Sequence, residues 1–133
     1  MVGVLVVDDQ APFRRAAKAI LGATPGFALV AEADSGEQAV ALARSLDPDM
    51  IVMDIKMPGI GGIEATRLIT TTRVATLVVL VSSYLERDLP ADARTCGAAA
   101  YVPKEGFGRG VLERIWTARR SSAAAPTETG APP

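Results

Sequence analysis

The chain predicts a doubly wound α/β domain, with five parallel strands in the order 2-1-3-4-5 and helices on both faces. Short β-branched runs alternate with longer stretches of helical period. Three of those runs are almost continuously apolar, as strands buried on both faces of a parallel sheet are. The 133 residues, about half of them apolar, suffice for one core and not two. Strands that alternate with helices imply right-handed crossovers, and hence this layering.

The strand candidates are GVLVVD (3–8), FALVAEA (27–33), DMIVMD (49–54), ATLVVLVS (75–82) and AAAYV (98–102). Pro12 sits where a first-turn proline belongs and opens a helix to about Leu21, ending near Gly22. Ser35 and Gln38 form the pattern of a capping box for a helix over 36–46, which Pro48 stops. GGIEATRLITTT (61–72) places Ile63, Thr66 or Arg67, and Ile69 with Thr70 at helical spacing. In YLERDLPADARTCG (84–97), Pro90 falls where a fourth helix should run. A mid-helix proline costs about 3 kcal/mol, so that helix is expected to begin near Pro90, after Asp88 or Leu89, and to be short or kinked. GRGVLERIWTARR (108–120) aligns Val111, Leu112, Ile115 and Trp116 on one side, facing either the core or a homodimer partner. The expected domain is therefore residues 1–120 with five helices. SSAAAPTETGAPP (121–133) lacks periodicity and is expected to be a flexible tail or linker.

Composition removes several function classes. A formal charge of −1 leaves no broad basic field, so nucleic-acid binding by this chain alone is not expected, and no polybasic run addresses an anionic membrane. Apolar runs such as TLVVLV (76–81) fall far short of the roughly 20 residues of a membrane helix. No charged n-region precedes an apolar segment at the N-terminus, and a cytoplasmic location is expected. Cys96 is the single cysteine, and histidine is absent. A metal here would be held mainly by oxygen, which favours magnesium, calcium or manganese over zinc.

The chemistry lies at strand ends. Ligands of doubly wound sheets sit beyond the carboxyl ends of the strands, where the winding changes direction. Asp8 and Asp9 end the first strand and Asp54 ends the third, its neighbour in the predicted order. Three close carboxylates repel, so at least one pKa should rise unless a cation joins them, and a partly hydrated oxygen-only site suits Mg²⁺ best. Asp8 or Asp9 could singly serve as a helix cap, but capping alone does not account for a pair with a third acid on the adjacent strand.

VVDD, IVMDIKMPGIGGIEATR, VLVSS and AAAYVPK together resemble the receiver domains of bacterial two-component response regulators, over about residues 2–120. The resemblance implies the flavodoxin-like (βα)5 sandwich. It also implies a phosphoacceptor, Asp54, that takes its phosphoryl group in a Mg²⁺-dependent reaction. By the same resemblance, Asp9, Asp54 and the backbone carbonyl of Lys56 bind Mg²⁺, and Asp8 contributes through water. Ser82 becomes the switch hydroxyl, Lys104 the contact to phosphoryl oxygens, and Tyr101 the rotating aromatic. The residue chemistry agrees. A carboxylate can form an acyl phosphate, and the transfer is mostly positioning and charge neutralisation. The residues also admit plainer readings: Lys104 as a solvated lysine, Ser82 as a turn residue with Ser83 as the hydroxyl, Tyr101 as a static core aromatic, and MPG (57–59) as a simple turn. The style of MPGIGGIEATRLI and GAAAYVPKEG resembles the class whose output domain is a DNA-binding helix-turn-helix.

Some positions depart from the family pattern. Gly61 stands where many relatives have an aspartate, removing a cap for the third helix, and more mobility is expected there. Lys56 and Tyr84 occupy positions that flank the phosphoryl site and vary in the family. With no histidine of its own, the chain needs an outside donor, and a sensor histidine kinase is the implied partner. Its docking is expected near the first helix, where Phe13, Ala17 and Ile20 offer apolar groups, some of which must face the core. The domain is expected to be a signalling module that catalyses only its own phosphotransfer and dephosphorylation. A dehalogenase-type phosphatase would need an acid where Lys56 stands. GIGGIE lacks the third glycine of a dinucleotide fingerprint. The rival that survives is a pseudo-receiver, an interaction domain acting without phosphorylation.

Overall fold

A computed structural model of the chain describes residues 1–83 and 88–124. In order they form β1 (Val2–Val7), α1 (Ala11–Gly22), β2 (Phe27–Ala33), α2 (Gly36–Leu46), β3 (Met50–Asp54), α3 (Gly61–Thr72), β4 (Leu77–Ser82), β5 (Ala100–Pro103) and α4 (Arg109–Ala124). The strands make one sheet, β2-β1-β3-β4-β5, parallel at every junction. This is the predicted flavodoxin-like order. Among the described residues no helix is long and apolar enough to cross a membrane.

The alternation of strand side chains divides the core in two. Val4, Val6, Met50, Val52, Val79, Val81 and Val102 face α1 and α4, where Ala17, Leu21 and Leu112 are buried. Leu5, Val7, Ile51, Met53, Val78 and Leu80 face α2 and α3, where Ala39, Ala43, Ala65 and Ile69 are buried. Both faces of β3 and β4 are covered, which explains why their sequences carry no polar alternation.

Local signals set the helix ends. Ser35 Oγ accepts from Gln38 N–H at 3.1 Å, while Gln38 Oε1 accepts from the N–H of Asp34, one residue earlier than a standard capping box would place it. Pro12 lies in the first turn of α1, as expected. Phe13 is half-buried and packs against the core, Ala17 is fully buried and Ile20 is half-buried, so this trio does not form an outward apolar face. Trp116 also packs partly against the core, with the Arg119 guanidinium 4.6 Å from its ring centroid.

The helix expected to start near Pro90 is reduced to a 3-10 turn, Ala91–Arg94. Among the described residues no α-helix lies between β4 and β5, and four α-helices are present in all. Pro90 is extended (φ −57°, ψ 145°) at the start of that turn, and Gly97 has φ +105°. The six residues between them leave room for little more than one helical turn. At the other end, α4 runs to Ala124, four residues past the expected boundary at residue 120. Tyr84 and residues 125–133 of the expected tail lie outside the described residues.

Candidate functional site

The carboxyl ends of β1, β3, β4 and β5 bring Asp8, Asp54, Ser82 and Lys104 together at one rim of the sheet. Asp8 is fully buried, Asp54 4% exposed and Ser82 3% exposed. Asp9, the next residue, is exposed. One carboxylate oxygen from each of Asp8, Asp9 and Asp54 lies within 4.8 Å of the others. Lys104 reaches this cluster from β5, with Nζ 2.7 Å from Asp8 Oδ2 and 3.5 Å from Asp54 Oδ1. Gln10, Asp54, Lys56, Ser82, Ser83 and Lys104 line a cavity of about 290 Å³ open to solvent. Asp8 does not cap α1 with its side chain. Its Oδ1 accepts from the N–H of Gln10 at 2.8 Å and so shapes the turn that turns Asp9 outward.

The charges are incompletely balanced. Burial raises the Asp54 carboxyl to about 6, helped by the negative charges of Asp8 and Asp9 and opposed by Lys104. Burial alone would lower the Lys104 ammonium, but its bond to Asp8 and the charges of Asp54 and Asp8 outweigh that and raise it. Three carboxylates thus share one ammonium. A set made only of oxygen donors, two of them buried and carrying surplus negative charge, fits a hard divalent ion such as Mg²⁺.

The loop after Asp54 is fixed by backbone. Ile55 N–H donates to Val81 O at 3.0 Å and Gly62 N–H to Ile55 O at 2.9 Å, while Ile55 and Met57 bury their side chains. Gly59 has φ +81°, as the MPG turn requires. At Gly62, an added Cβ would collide with the carbonyl oxygen of Asp54, so only glycine fits under the end of β3. Gly61 leaves α3 without a side-chain cap, as the sequence implied. Glu37 of α2 partly makes up for it, its Oε2 accepting from Ile60 N–H at 3.3 Å.

Ser82 and Tyr101 lie on one side of the sheet. Leu80 and Tyr101 are direct partners, Ser82 is two residues beyond Leu80, and Tyr101 packs half-buried against the α2–α3 core. Tyr101 also borders a second cavity of about 350 Å³ with Leu89, Ala93 and Arg94. Lys56 is exposed and lines the first cavity beside Asp54. Sequence reasoning missed Arg14, whose Nη1 donates to the carbonyl oxygen of Asp8 at 2.7 Å while its Nε bonds Glu32 of β2 at 3.1 Å. It also missed Gln10 and Gly62. Gly62 alone had a visible signal, as the second of two glycines ahead of an apolar helical pattern.

Comparison with known proteins agrees with this geometry. Residues 4–115 match the family described as the response regulator receiver domain. The chain is 40% identical over 120 residues to the response regulator GacA of Pseudomonas aeruginosa, covering 90% of this chain and 55% of that protein. It is 37% identical to the response regulator UvrY of Escherichia coli K12, covering 86% and 53%. The chain thus spans about half the length of these curated relatives. Among solved structures, a LuxR-family two-component response regulator from Aurantimonas sp. SI85-9A1 superposes with TM-score 0.81 at 30% identity, covering 91% of this chain and 86% of that one. The response regulator domain of Thermotoga maritima CheB superposes with TM-score 0.78 at 35% identity, covering 90% and 97%. The acid pair at the end of β1, the acid on the neighbouring strand and the lysine beside them stand on a chain that belongs to the response regulator receiver family.

Proposed function

We propose that this domain accepts a phosphoryl group on Asp54 in a Mg²⁺-dependent reaction, with a sensor histidine kinase in the cytoplasm as donor. The observation that carries this reading is the placement of Asp54 at the floor of an open cavity, flanked by Asp8, Asp9 and the Lys104 ammonium. Asp9, Asp54 and the backbone carbonyl of Lys56 would hold the ion, with Asp8 acting through water. Bound there, Mg²⁺ would offset the charge between the carboxylates and the incoming phosphoryl group.

The chain's own residues do the rest. A carboxylate oxygen of Asp54 attacks phosphorus, the donor's bond to phosphorus breaks with its electron pair staying on the donor, and an acyl phosphate forms. Lys104 pairs with a phosphoryl oxygen, and the Ser82 hydroxyl donates to another. Inward movement of Ser82 frees space on the sheet face it shares with Tyr101, whose ring then turns inward as the readout. Neither the transfer nor the switch requires nucleic acid or membrane contact by this domain.

Intact-mass measurement with acetyl phosphate tests the reading. A single phosphoryl adduct is expected only with Mg²⁺ present and only when Asp54 is intact, with Asp54→Asn as control. If there is no adduct, and beryllofluoride also fails to bind, the domain is a phosphorylation-independent interaction module.

A further inference from the structure

We propose that Phe13 is a positioning residue for Lys104, an aromatic wall that holds the ammonium over the acidic cluster. The face assignment of the core comes first. Val4 and Val6, Met50 and Val52, and Ala100 and Val102 all point to the α1–α4 side. Continued by two residues, the same alternation puts Asp8, Asp54 and Lys104 on that side, where the first turn of α1 presents Phe13. Lys104 Nζ lies 4.9 Å from the Phe13 ring centroid, within cation–π range.

The turn after β5 adds a second aromatic. Residues Lys104–Gly106 form a 3-10 turn in which Phe107 N–H donates to Lys104 O at 3.2 Å. Side chains three apart eclipse in this geometry, so Lys104 and Phe107 leave the turn on the same side. Phe107 stacks on Phe13 with centroids 5.4 Å apart and planes tilted by 55°. Phe13 therefore touches both the ammonium and the ring that closes its turn. Lysine is a flexible point charge on a four-carbon stem, and its two carboxylate partners fix only its tip. The aromatic wall restricts the stem and limits water on its open side, leaving Lys104 17% exposed.

The kinetic half of the test rests on the phosphoacceptor reading, and the spectroscopic half does not. Lysine-selective carbon–proton NMR of the intact chain should show ring-current-shifted ε-methylene protons for one lysine, the signal that disappears in Lys104→Met. In Phe13→Leu that shift should collapse, and in Phe13→Tyr it should persist. With acetyl phosphate, a donor that needs no protein docking, Phe13→Leu should lower the phosphorylation rate about two- to fivefold and Phe13→Tyr should restore it. In a Lys104→Met background, Phe13→Leu should have no further effect.

An unshifted Lys104 signal in the wild type overturns the proposal. Equal rate losses in Phe13→Leu and Phe13→Tyr overturn it as well, as does a loss that persists undiminished without Lys104. A wild type that shows the shifted signal yet takes no phosphoryl group sinks the phosphoacceptor reading and leaves the aromatic contact established.

Discussion

In metal-free protein, Asp54→Asn should stabilise the fold at neutral pH and have little effect near pH 4. The folded carboxyl titrates at about 6 against an ordinary value of 3.8, because burial and the charges of Asp8 and Asp9 disfavour its ionised form. A pKa raised on folding means that the folded state holds the proton more tightly. Its contribution to stability is complete below pH 3.8 and is lost as the pH rises through about 6. The gap is roughly two pH decades, and at about 1.4 kcal/mol per decade the ionised carboxylate costs about 3 kcal/mol. Asp54 lines a cavity open to solvent, and screening there brings the figure down to about 2.5 kcal/mol. Asparagine cannot ionise and escapes the cost, and Lys104 keeps Asp8 as partner. Thermal melts in EDTA at pH 4 and pH 7.5 should show wild type and variant close together at the lower pH. At the higher pH the variant should melt about 10 °C above wild type, taking about 4 °C per kcal/mol for a domain of this size. Comparing the two proteins at each pH cancels the titration of the other carboxylates. An equal difference at both pH values would refute the charge-crowding argument, and so would a variant less stable at pH 7.5.

Further outcomes follow from the same geometry. Adding Mg²⁺ at pH 7.5 should raise the wild-type melting temperature, by about 2.7 kcal/mol of stability at a hundredfold excess over Kd. Asp9→Asn should blunt this response, and an identical response would remove Asp9 from the ion site. Lys104→Met leaves Asp8 and Asp54 without their cation and should cost about 3 kcal/mol in metal-free protein by urea unfolding. The same variant should gain more stability than wild type from Mg²⁺, because the ion then replaces the ammonium that paired with Asp8 and Asp54. Gly62→Ala should cost about 3 kcal/mol or more, since its methyl meets the backbone of Asp54 and not a side chain that could swing away. Its acetyl phosphate reaction should slow as Asp54 shifts, and wild-type stability and rate together would refute the close approach.

The strand order and the convergence of Asp8, Asp9 and Asp54 were legible from period and position, while Ser82 and Lys104 joined them only through the family resemblance. An apolar run that ends in a carboxylate states where the sheet stops and what it carries there. The shortened helix after β4 was half legible. Pro90 announced where helix formation must begin, but the sequence concealed that Gly97 would turn the chain back after six residues. Arg14 and Phe13 were illegible as parts of the site. Both lie on α1, whose apolar and basic residues fit equally well a helix face turned to a partner, and only the sheet alternation shows that Phe13 faces Lys104. Glu37 was hidden for a similar reason: a surface glutamate of α2 reaches the start of α3, 23 residues away in the chain.

The edge position of β5 carries a consequence for the motions of the domain. β5 has only four residues and pairs with β4 alone, and beyond it the sheet ends. One of its faces rests on α4, and the other packs, among the described residues, with Leu89, the turn Ala91–Arg94 and the chain around Cys96. A short edge strand with a partner on one side only opens at a fraction of the global unfolding free energy. Amide hydrogen exchange should therefore be fast along Ala100–Val102 and slow in β1, β3 and β4, whose partners lie on both sides. Lys104 follows directly on this edge strand, so each local opening withdraws the ammonium from the carboxylates. The charge state of the rim and the breathing of the sheet edge are then one equilibrium, and ligands that hold Lys104 in place should slow exchange in a strand they never touch.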